Sequence, residues 1–111
     1  MTEETVNFEE FKKLDLRVAI VESAEKIEGT DKLVKLSIKM GSEKRQLVAG
    51  IADQYAPDAI KGKKIVVIRN LQPRTVKNVE SQGMLLAAVE TNGKVSLLVP
   101  DRDVADGTHV A

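Results

Sequence analysis

Alternation of apolar and polar residues with a period of two constrains this chain more than any other feature. The apolar residues recur at every second position from Leu14 to Ile20 and again from Val34 to Met40. Residues two apart in a β-strand lie on the same face, so each segment places these side chains on one face of a strand. Further apolar runs suited to strands follow at 46–49, 65–68, 84–89 and 95–99. The chain is therefore expected to be all-β.

A short helix is predicted before the first strand. Asn7 is suited to cap a helix over Phe8–Lys13, and Glu10 occupies the position that completes a capping box. Phe8 and Phe11 are three residues apart and would share one face of this helix. We expect the two rings to cover the end of the barrel described next.

The order of the remaining elements predicts a barrel. A helical turn is expected at Ala52–Tyr55, stopped by Pro57, between the third and fourth strands. Five or six short strands with a small helix at this place are the layout of an OB-fold, a five-stranded barrel. An immunoglobulin-like sandwich would need about seven strands. Asn92-Gly93 predicts a hairpin between the last two strands, since both residues accept a positive φ. One domain, residues 1–111, is expected.

Side chains for catalysis or metal binding are scarce in the sequence. Cysteine is absent, which excludes disulfides, thiolate zinc sites and a cysteine nucleophile. His109 is the only histidine and follows a turn at Asp106-Gly107, so Ser81 has no evident catalytic base. Neither a calcium-loop spacing nor a phosphate-cradling glycine loop occurs. The sequence therefore predicts a protein with no enzymatic activity, metal or cofactor.

The N-terminal residues MTEETVNFEE are acidic and lack the apolar core of a signal peptide. No apolar stretch of the sequence approaches the about 18 residues that span a membrane. These features predict a soluble, cytoplasmic protein without a membrane partner. Met1 and the acidic leader favour a separate polypeptide over a piece of a larger one.

Basic residues are concentrated in one internal segment, although 17 basic and 17 acidic side chains give a formal net charge of zero. Residues 61–77 contain no acid, and their basic side chains are Lys61, Lys63, Lys64, Arg69, Arg74 and Lys77. Phosphate binding depends on the potential within a Debye length, about 8–10 Å, more than on the total charge. The segment therefore suits a phosphate-bearing partner; the alternative is a solvated pair of strands.

Two motifs flank the end of this basic segment. Asn70–Arg74 (NLQPR) ends a strand at a proline turn, and a new strand starts after Gly83 within Ser81–Ala88 (SQGMLLAA). This pattern resembles the tRNA-binding domain that is appended to methionyl-tRNA synthetases and that also occurs in small free-standing proteins and in endothelial monocyte-activating polypeptide II. The resemblance covers essentially the whole chain, with further matching stretches at Phe8–Val18, Thr30–Leu33, Arg45–Ile51 and Leu97–Gly107.

The resemblance implies an OB barrel with a C-terminal β extension and a homodimer built partly from that extension. It also implies a non-catalytic module that recognises folded tRNA by its overall shape, assisting a methionyl-tRNA synthetase in trans or as its appended domain. Asn78 departs from the family, whose members often have glycine at this place. Asparagine tolerates left-handed backbone geometry, so the loop can form, but its path is left open.

Aromatic residues give an independent argument about the kind of RNA. Phe8, Phe11 and Tyr55 are the only three in the chain, and the two phenylalanines are assigned to packing. OB-folds that hold single strands stack bases on exposed aromatic rings. A binder without such rings must rely on phosphate and ribose contacts, which suits a folded, double-helical target.

Candidate tRNA contacts follow from the charges and from the resemblance. The predicted phosphate contacts are Lys32, Arg45, Arg74 and Lys77, with Lys35 and Lys64 as further candidates. The alternative for each is an ordinary exposed charge. Asn70 either caps the proline turn or hydrogen-bonds to ribose or a base edge. Ser81 and Met84 match family positions implicated in tRNA contact, although a methionine is more often core filler.

Two other binding functions are the alternatives. A secretion chaperone shares this fold and size, so the chain could instead be a chaperone-like homodimer that binds peptides, which would display an apolar groove in place of the basic run. A sequence-tolerant binder of single strands is disfavoured because aromatic residues are few. The sequence indicates no preferred tRNA species.

Overall fold

A computed structural model describes residues 3–111. The elements follow one another in the order α1 (Phe8–Lys12), β1 (Leu16–Lys26), β2 (Val34–Met40), β3 (Glu43–Ala49), α2 (Pro57–Ile60), β4 (Lys64–Ile68), β5 (Arg74–Val76), β6 (Val79–Ser81), β7 (Met84–Leu85), β8 (Ala87–Val89), β9 (Val95–Leu97) and β10 (His109–Val110). Neither helix in this part of the chain is long and apolar enough to cross a bilayer.

Strand β1 organises the barrel because it pairs with three other strands. Its first half pairs with β4 and β10, and its second half pairs with β2. A β-bulge between Val21 and Ser23 lets this long strand bend. The resulting antiparallel sheet has the order β3-β2-β1-β4-β7, and its edges meet where the Gln82 N–H donates to the Gln46 carbonyl at 2.9 Å. The predicted all-β fold, an OB-type barrel with α2 between β3 and β4, is confirmed.

Strand β2 shows the predicted alternation, because every second side chain from Val34 to Met40 is buried. These side chains pack with residues from the other strands and from α2. The core cluster consists of Ala19, Val21, Val34, Leu36, Ile38, Met40, Leu47, Ile51, Ile60, Ile65, Val67 and Leu97.

Strand β1 is buried on both faces near its start. Ala19 and Val21 belong to the core cluster, while Leu16 and Val18, on the opposite face, are buried outside it. Leu14 precedes the strand and is exposed. The alternation therefore predicted the strand correctly. However, the core lies against the face that carries Ala19 and Val21, not the face that carries Leu16 and Val18.

Helix α1 has the predicted cap but not the predicted packing. The Asn7 side chain accepts a hydrogen bond from the Glu10 N–H at 2.8 Å, and the helix ends at Lys12. However, Phe8 and Phe11 are 69% and 40% exposed, and no residue of α1 is buried. The expectation that they cover the end of the barrel is wrong. The core is already closed by the aliphatic residues of the strands and α2, so the helix is left on the surface.

The second helix begins at Pro57, where the sequence analysis expected helical structure to stop. The N–H groups of Gln54 and Tyr55 both donate to the Ile51 carbonyl, which gives a single turn before the helix. Proline is favoured in the first turn of a helix because its missing N–H would have no partner there and its φ is already helical. Ile60, the last residue of α2, is fully buried in the core.

The C-terminal part forms the expected β extension. Strands β8 and β9 pair as a hairpin across the predicted turn, and Gly93 alone of the Asn92-Gly93 pair has a positive φ, +90°. Strand β10 then returns to pair with β1, with Arg17 opposite His109.

Asp106 joins the segment before β10 to the β2–β3 turn. Its carboxylate accepts hydrogen bonds from the Gly41 N–H at 2.8 Å and from Lys39 Nζ at 3.1 Å. These two contacts lower the pKa of Asp106. Gly107 has a φ of +90°, and a Cβ at this position would lie 2.9 Å from the Gly41 nitrogen. Only glycine allows the two backbones to approach so closely.

Candidate nucleic-acid interface

The hairpin of β5 and β6 carries two exposed cations of the basic segment, Arg74 and Lys77. Val76 pairs with Val79, which leaves Lys77 and Asn78 as a two-residue loop. Both have a positive φ, +52° and +66°, as expected for the hairpin turn that matches the twist of its strands. Asparagine adopts this geometry more readily than other non-glycine residues. Asn78 therefore forms the loop without the glycine that is frequent in the family.

This hairpin lies beside β3 and reaches towards the start of β2. The Gln46 side-chain amide on β3 donates to the Glu80 carbonyl on β6 at 2.8 Å. Farther along the hairpin, Val79 lines a shallow cavity together with Lys26 and Lys35. The hairpin is thus the loop between β4 and the last barrel strand, and it borders the β2–β3 side. In OB-folds this side and the loops next to it bind oligonucleotides.

Three of the predicted contact residues on the hairpin and the β1–β2 loop have charges that are not paired with an acid that the structure describes. Lys32 lies in the β1–β2 loop, and Arg74 and Lys77 lie on the hairpin; all three are exposed. Within residues 3–111 none of them forms an ion pair. A phosphate that reaches this side would therefore meet cations that no carboxylate has neutralised.

The two further candidates are paired with acids. Lys35 Nζ lies 2.8 Å from Glu25 Oε1 on the neighbouring strand. Lys64 Nζ lies 2.7 Å from Asp103 Oδ1 and also donates to the Val104 carbonyl at 2.6 Å. Lys64 thereby ties β4 to the C-terminal segment, so its charge is engaged within the fold.

Arg45 is held in a network of ions at one end of the barrel. Its guanidinium donates twice to Glu43 Oε2, at 3.1 and 2.9 Å, and once to the Arg69 carbonyl. Arg69 donates to Glu43 Oε1 at 2.6 Å and to Asp15 Oδ2 at 3.1 Å. Arg17 donates to Asp15 Oδ1 at 2.7 Å. The network joins β1, β3 and β4, and most of the hydrogen-bonding capacity of Arg45 is used inside it.

The same network shifts the pKa values of its members. The hydrogen bond from Arg69 is the largest of the contacts that lower the pKa of Glu43, and together with the hydrogen bond from Arg45 and both positive charges it outweighs the opposing effect of burial. Burial raises the pKa of Asp15, but hydrogen bonds and charges from Arg17 and Arg69 outweigh it, so this pKa is also lowered. The pKa of Arg69 is raised, chiefly by its hydrogen bond to Glu43. Both carboxylates are thus ionised at neutral pH.

Asn70 connects the turn after β4 to the segment after α1. Its side-chain oxygen accepts a hydrogen bond from the Asp15 N–H at 2.8 Å, and its amide donates to the Lys13 carbonyl at 2.6 Å. These partners lie more than 50 residues away in the sequence, at separations of 55 and 57. The side chain therefore joins two segments of the chain instead of capping only its own turn.

Ser81 is committed to the fold on both sides of its hydroxyl. The side chain is 2% exposed. Its oxygen accepts a hydrogen bond from the Val48 N–H at 3.0 Å, and its hydroxyl donates to the Gly83 carbonyl at 3.1 Å. In this conformation Ser81 joins β6 to β3 and offers no polar atom to an external ligand.

Two glutamines, neither of them among the predicted contact residues, complete the contact between β3 and the segment after β6. Gln82 Oε1 accepts from the Gln46 N–H at 3.1 Å, and the Gln82 N–H donates to the Gln46 carbonyl at 2.9 Å. The two residues are 36 positions apart. No local sequence pattern could therefore have paired them.

Met84 on β7 is 39% exposed, so its thioether can be reached from outside the barrel. By contrast, the Tyr55 hydroxyl accepts from the Leu97 N–H at 3.1 Å, and its ring packs on the core. Phe8 and Phe11 belong to α1 and not to the strands of the sheet. Among residues 3–111, no group of three acidic or histidine side chains could hold a metal.

Comparison with known proteins identifies the family of this chain. Residues 16–109 match the family model described as "Putative tRNA binding domain". This chain belongs to the tRNA-binding domain family. Methionine–tRNA ligases of Methanoculleus marisnigri and Caldanaerobacter subterraneus are 52% and 48% identical to it over 95% and 96% of its length. The chain spans only 15% and 16% of those ligases, so it corresponds to a small part of each.

Two solved structures resemble this tRNA-binding domain over almost their whole length. A MetRS-related protein from Pyrococcus horikoshii is 42% identical, with a TM-score of 0.94 over 98% of this chain and 100% of that one. The chaperone CsaA from Bacillus anthracis is 32% identical, with a TM-score of 0.89 over 97% and 100%. Membership of the tRNA-binding domain family makes this chain a non-catalytic binding module.

Proposed function

We propose that this domain recognises folded tRNA by shape, through contacts to phosphate and ribose, in the cytoplasm. The observation that carries the proposal is a set of exposed cations without ion pairs on the hairpin and the β1–β2 loop, beside described strands that contain no phenylalanine, tyrosine or tryptophan. Cations without stacking rings favour the backbone of a structured RNA over unpaired bases.

The proposed roles divide the predicted contact residues into two groups. Lys32, Arg74 and Lys77 bind phosphate. Met84, exposed at the edge of β7, offers an apolar contact to a ribose or base. Arg45, Asn70 and Ser81 are engaged within the fold, so in this proposal they hold the binding surface in shape.

A titration across a salt series tests the proposal. Folded bulk tRNA would be the ligand, with unfolded tRNA and a single-stranded oligonucleotide as competitors. Arg74→Ala and Lys77→Ala should each weaken binding, and each should reduce the slope of log K against log salt by about one charge. Lys61→Ala is the matched control, because Lys61 is exposed and forms no ion pair within residues 3–111 but lies between α2 and β4, outside the hairpin. Unchanged binding in the double variant would place the RNA elsewhere.

We further propose that the domain acts as a homodimer. Val6, Phe8, Phe11 and Leu14 expose apolar area on α1 and its flanks, where with Asn7 and Glu10 they line an open surface cavity of about 650 Å³. Leu98 and Val99 expose further apolar area on the C-terminal extension. A second copy would cover such area and would double the basic surface available to one tRNA by avidity. Light scattering at micromolar concentration should give the dimer mass, and Phe8→Glu should lower it; a wild-type monomer contradicts the proposal.

The kinship with methionine–tRNA ligases suggests the biological setting. We propose that the domain delivers tRNA to a methionyl-tRNA synthetase, in trans or as part of the same chain. Adding the domain to a synthetase that lacks its own copy should lower the KM for tRNA and leave kcat almost unchanged, because binding affinity is what the domain supplies. An unchanged KM would contradict this role.

Peptide binding of the chaperone type is the alternative. It is favoured by the apolar cavity at α1 and by the likeness to the chaperone CsaA. An unfolded peptide that displaces bound tRNA, or that binds when tRNA does not, would favour peptide binding over tRNA binding as the function of this domain.

A further inference from the structure

The β5–β6 hairpin is joined to the barrel mainly through side chains. Its two strands form a separate two-stranded sheet, whereas the barrel strands form the larger one. The outer edge of β3, next to the hairpin, has backbone groups on Gln46 and Val48 that need partners. Their partners come from Ser81–Gly83, a short stretch that begins at the last residue of β6 and that we call the closing segment.

Gln82 is the centre of this joint. It satisfies both outward backbone groups of Gln46, one with its side-chain oxygen and the other with its own N–H. Its side-chain amide also donates to Glu80 Oε1 at 3.1 Å, and the Gln46 side chain returns a bond to the Glu80 carbonyl at 2.8 Å. Gln82 thus acts as a substitute for a strand residue and fixes the direction in which β6 leaves the barrel.

The cations proposed to bind phosphate are on the part of the hairpin that this joint orients. Arg74 lies opposite Ser81, next to the closing segment, whereas Lys77 lies at the far end in the loop. A change of angle at the joint therefore moves Lys77 much more than Arg74. Recognition of a rigid RNA by shape requires the cations to be held at fixed separations.

We propose that Gln82 is a positioning residue for tRNA binding: through Gln46 and Glu80 it sets the angle of the hairpin and so the place of Lys77 relative to Lys32. This inference rests on the proposed binding of tRNA by the hairpin. Gln82 itself need not touch the RNA, because its side-chain oxygen and amide are both engaged within the protein.

Gln82→Met tests the role, because it keeps the length of the side chain and removes both polar ends. Binding to folded tRNA should weaken at least about fivefold, because one neutral hydrogen bond typically accounts for about fivefold and this variant loses two side-chain bonds. The rescue is the exchange of the two neighbours, Glu80→Gln with Gln82→Glu. It retains the net charge, the acceptor for the Gln46 N–H and a bond between the two side chains, so affinity should return to within about twofold of wild type.

Hairpin position provides a readout that general destabilisation would not mimic. Because the chain has no cysteine, Thr75→Cys on β5 and Asp31→Cys in the β1–β2 loop allow two spin labels to be attached specifically. The distance distribution should broaden in Gln82→Met and narrow again in the exchanged pair. Melting curves verify that each variant is folded at the temperature of the assay. If Gln82→Met does not fold, Gln82→Asn, which withdraws the amide by one methylene, takes its place.

The outcomes separate the inference from the proposed function. Weaker binding with a broader distribution, both rescued by the exchange, supports it. Weaker binding with an unchanged distance distribution means that Gln82 contacts the RNA directly. A broader distance distribution with unchanged binding means that the hairpin angle does not affect tRNA affinity. Either result overturns the positioning role of Gln82. Arg74→Ala with Lys77→Ala, in the protein with Gln82 intact, shows independently whether the hairpin binds tRNA at all.

Discussion

Replacing Ser81 with alanine removes a buried hydroxyl that joins β3 to the closing segment. Two hydrogen bonds disappear, one from the Val48 N–H at 3.0 Å and one to the Gly83 carbonyl at 3.1 Å. The Val48 N–H would then lack a partner in a region closed to water, which costs about 1–3 kcal/mol, and the lost neutral bond to the carbonyl adds about 0.5–1 kcal/mol. We therefore expect the free energy of unfolding to fall by about 2–3 kcal/mol.

Urea and thermal denaturation followed by circular dichroism measure this effect. For a domain of this size the expected loss lowers Tm by about 8–12 °C. Ser96→Ala is the matched control, because Ser96 is an exposed serine on β9, and its removal should change the free energy by less than about 0.5 kcal/mol. Wild-type stability of Ser81→Ala together with weakened tRNA binding would refute the reasoning, since the hydroxyl would then serve the RNA and not the fold.

Three further changes test the surroundings of the site. The pKa values of Asp15 and Glu43 lie below the ordinary values of 3.8 and 4.5. Their ion network therefore stabilises the fold above those ordinary values, and the stabilisation is lost as pH falls through the lowered pKa values. Glu43→Gln should accordingly flatten the acid limb of a curve of unfolding free energy against pH. Gly83→Ala should cost at least about 1–3 kcal/mol in urea denaturation, since φ is +137° and the added Cβ would lie 2.8 Å from a backbone oxygen. Asn78→Gly should leave Tm almost unchanged, whereas Asn78→Val should lower stability by about 1–2 kcal/mol, because a β-branched residue resists a φ of +66°.

The sequence predicted those parts of the fold in which one face is buried and the other is not. Strand β2 is the clearest case, because its alternation from Val34 to Met40 matches its burial residue by residue. Strand β1 is buried on both faces near its start, so alternation could not tell which face meets the core. The α1 phenylalanines were assigned to packing because their spacing places them on one face of the helix, but Phe8 and Phe11 are both exposed.

The candidate site was predictable in its charges but not in its bonds. Lys32, Arg74 and Lys77 could be named because their accessibility follows from the loops and turn in which they lie. Arg45 and Ser81 could not be assigned to the fold in advance, because barrel closure brings the Arg69 carbonyl to Arg45 and the Val48 N–H to Ser81 at separations of 24 and 33 residues. Gln82 carries no charge, so neither composition nor charge pattern could have indicated its role.

Because β10 completes the edge of β1, the barrel cannot finish folding during synthesis until residues 105–110 have left the ribosome. The β1–β2–β3 meander can form earlier, since its contacts are local, whereas the closing contacts must wait for a long loop to be ordered. During that interval the edge of β1 is unpaired and open to association with other chains. Substitutions at Asp106 or Gly107, which fix the returning segment to the β2–β3 turn, should therefore lower the yield of folded protein in the cell before they lower its affinity for RNA.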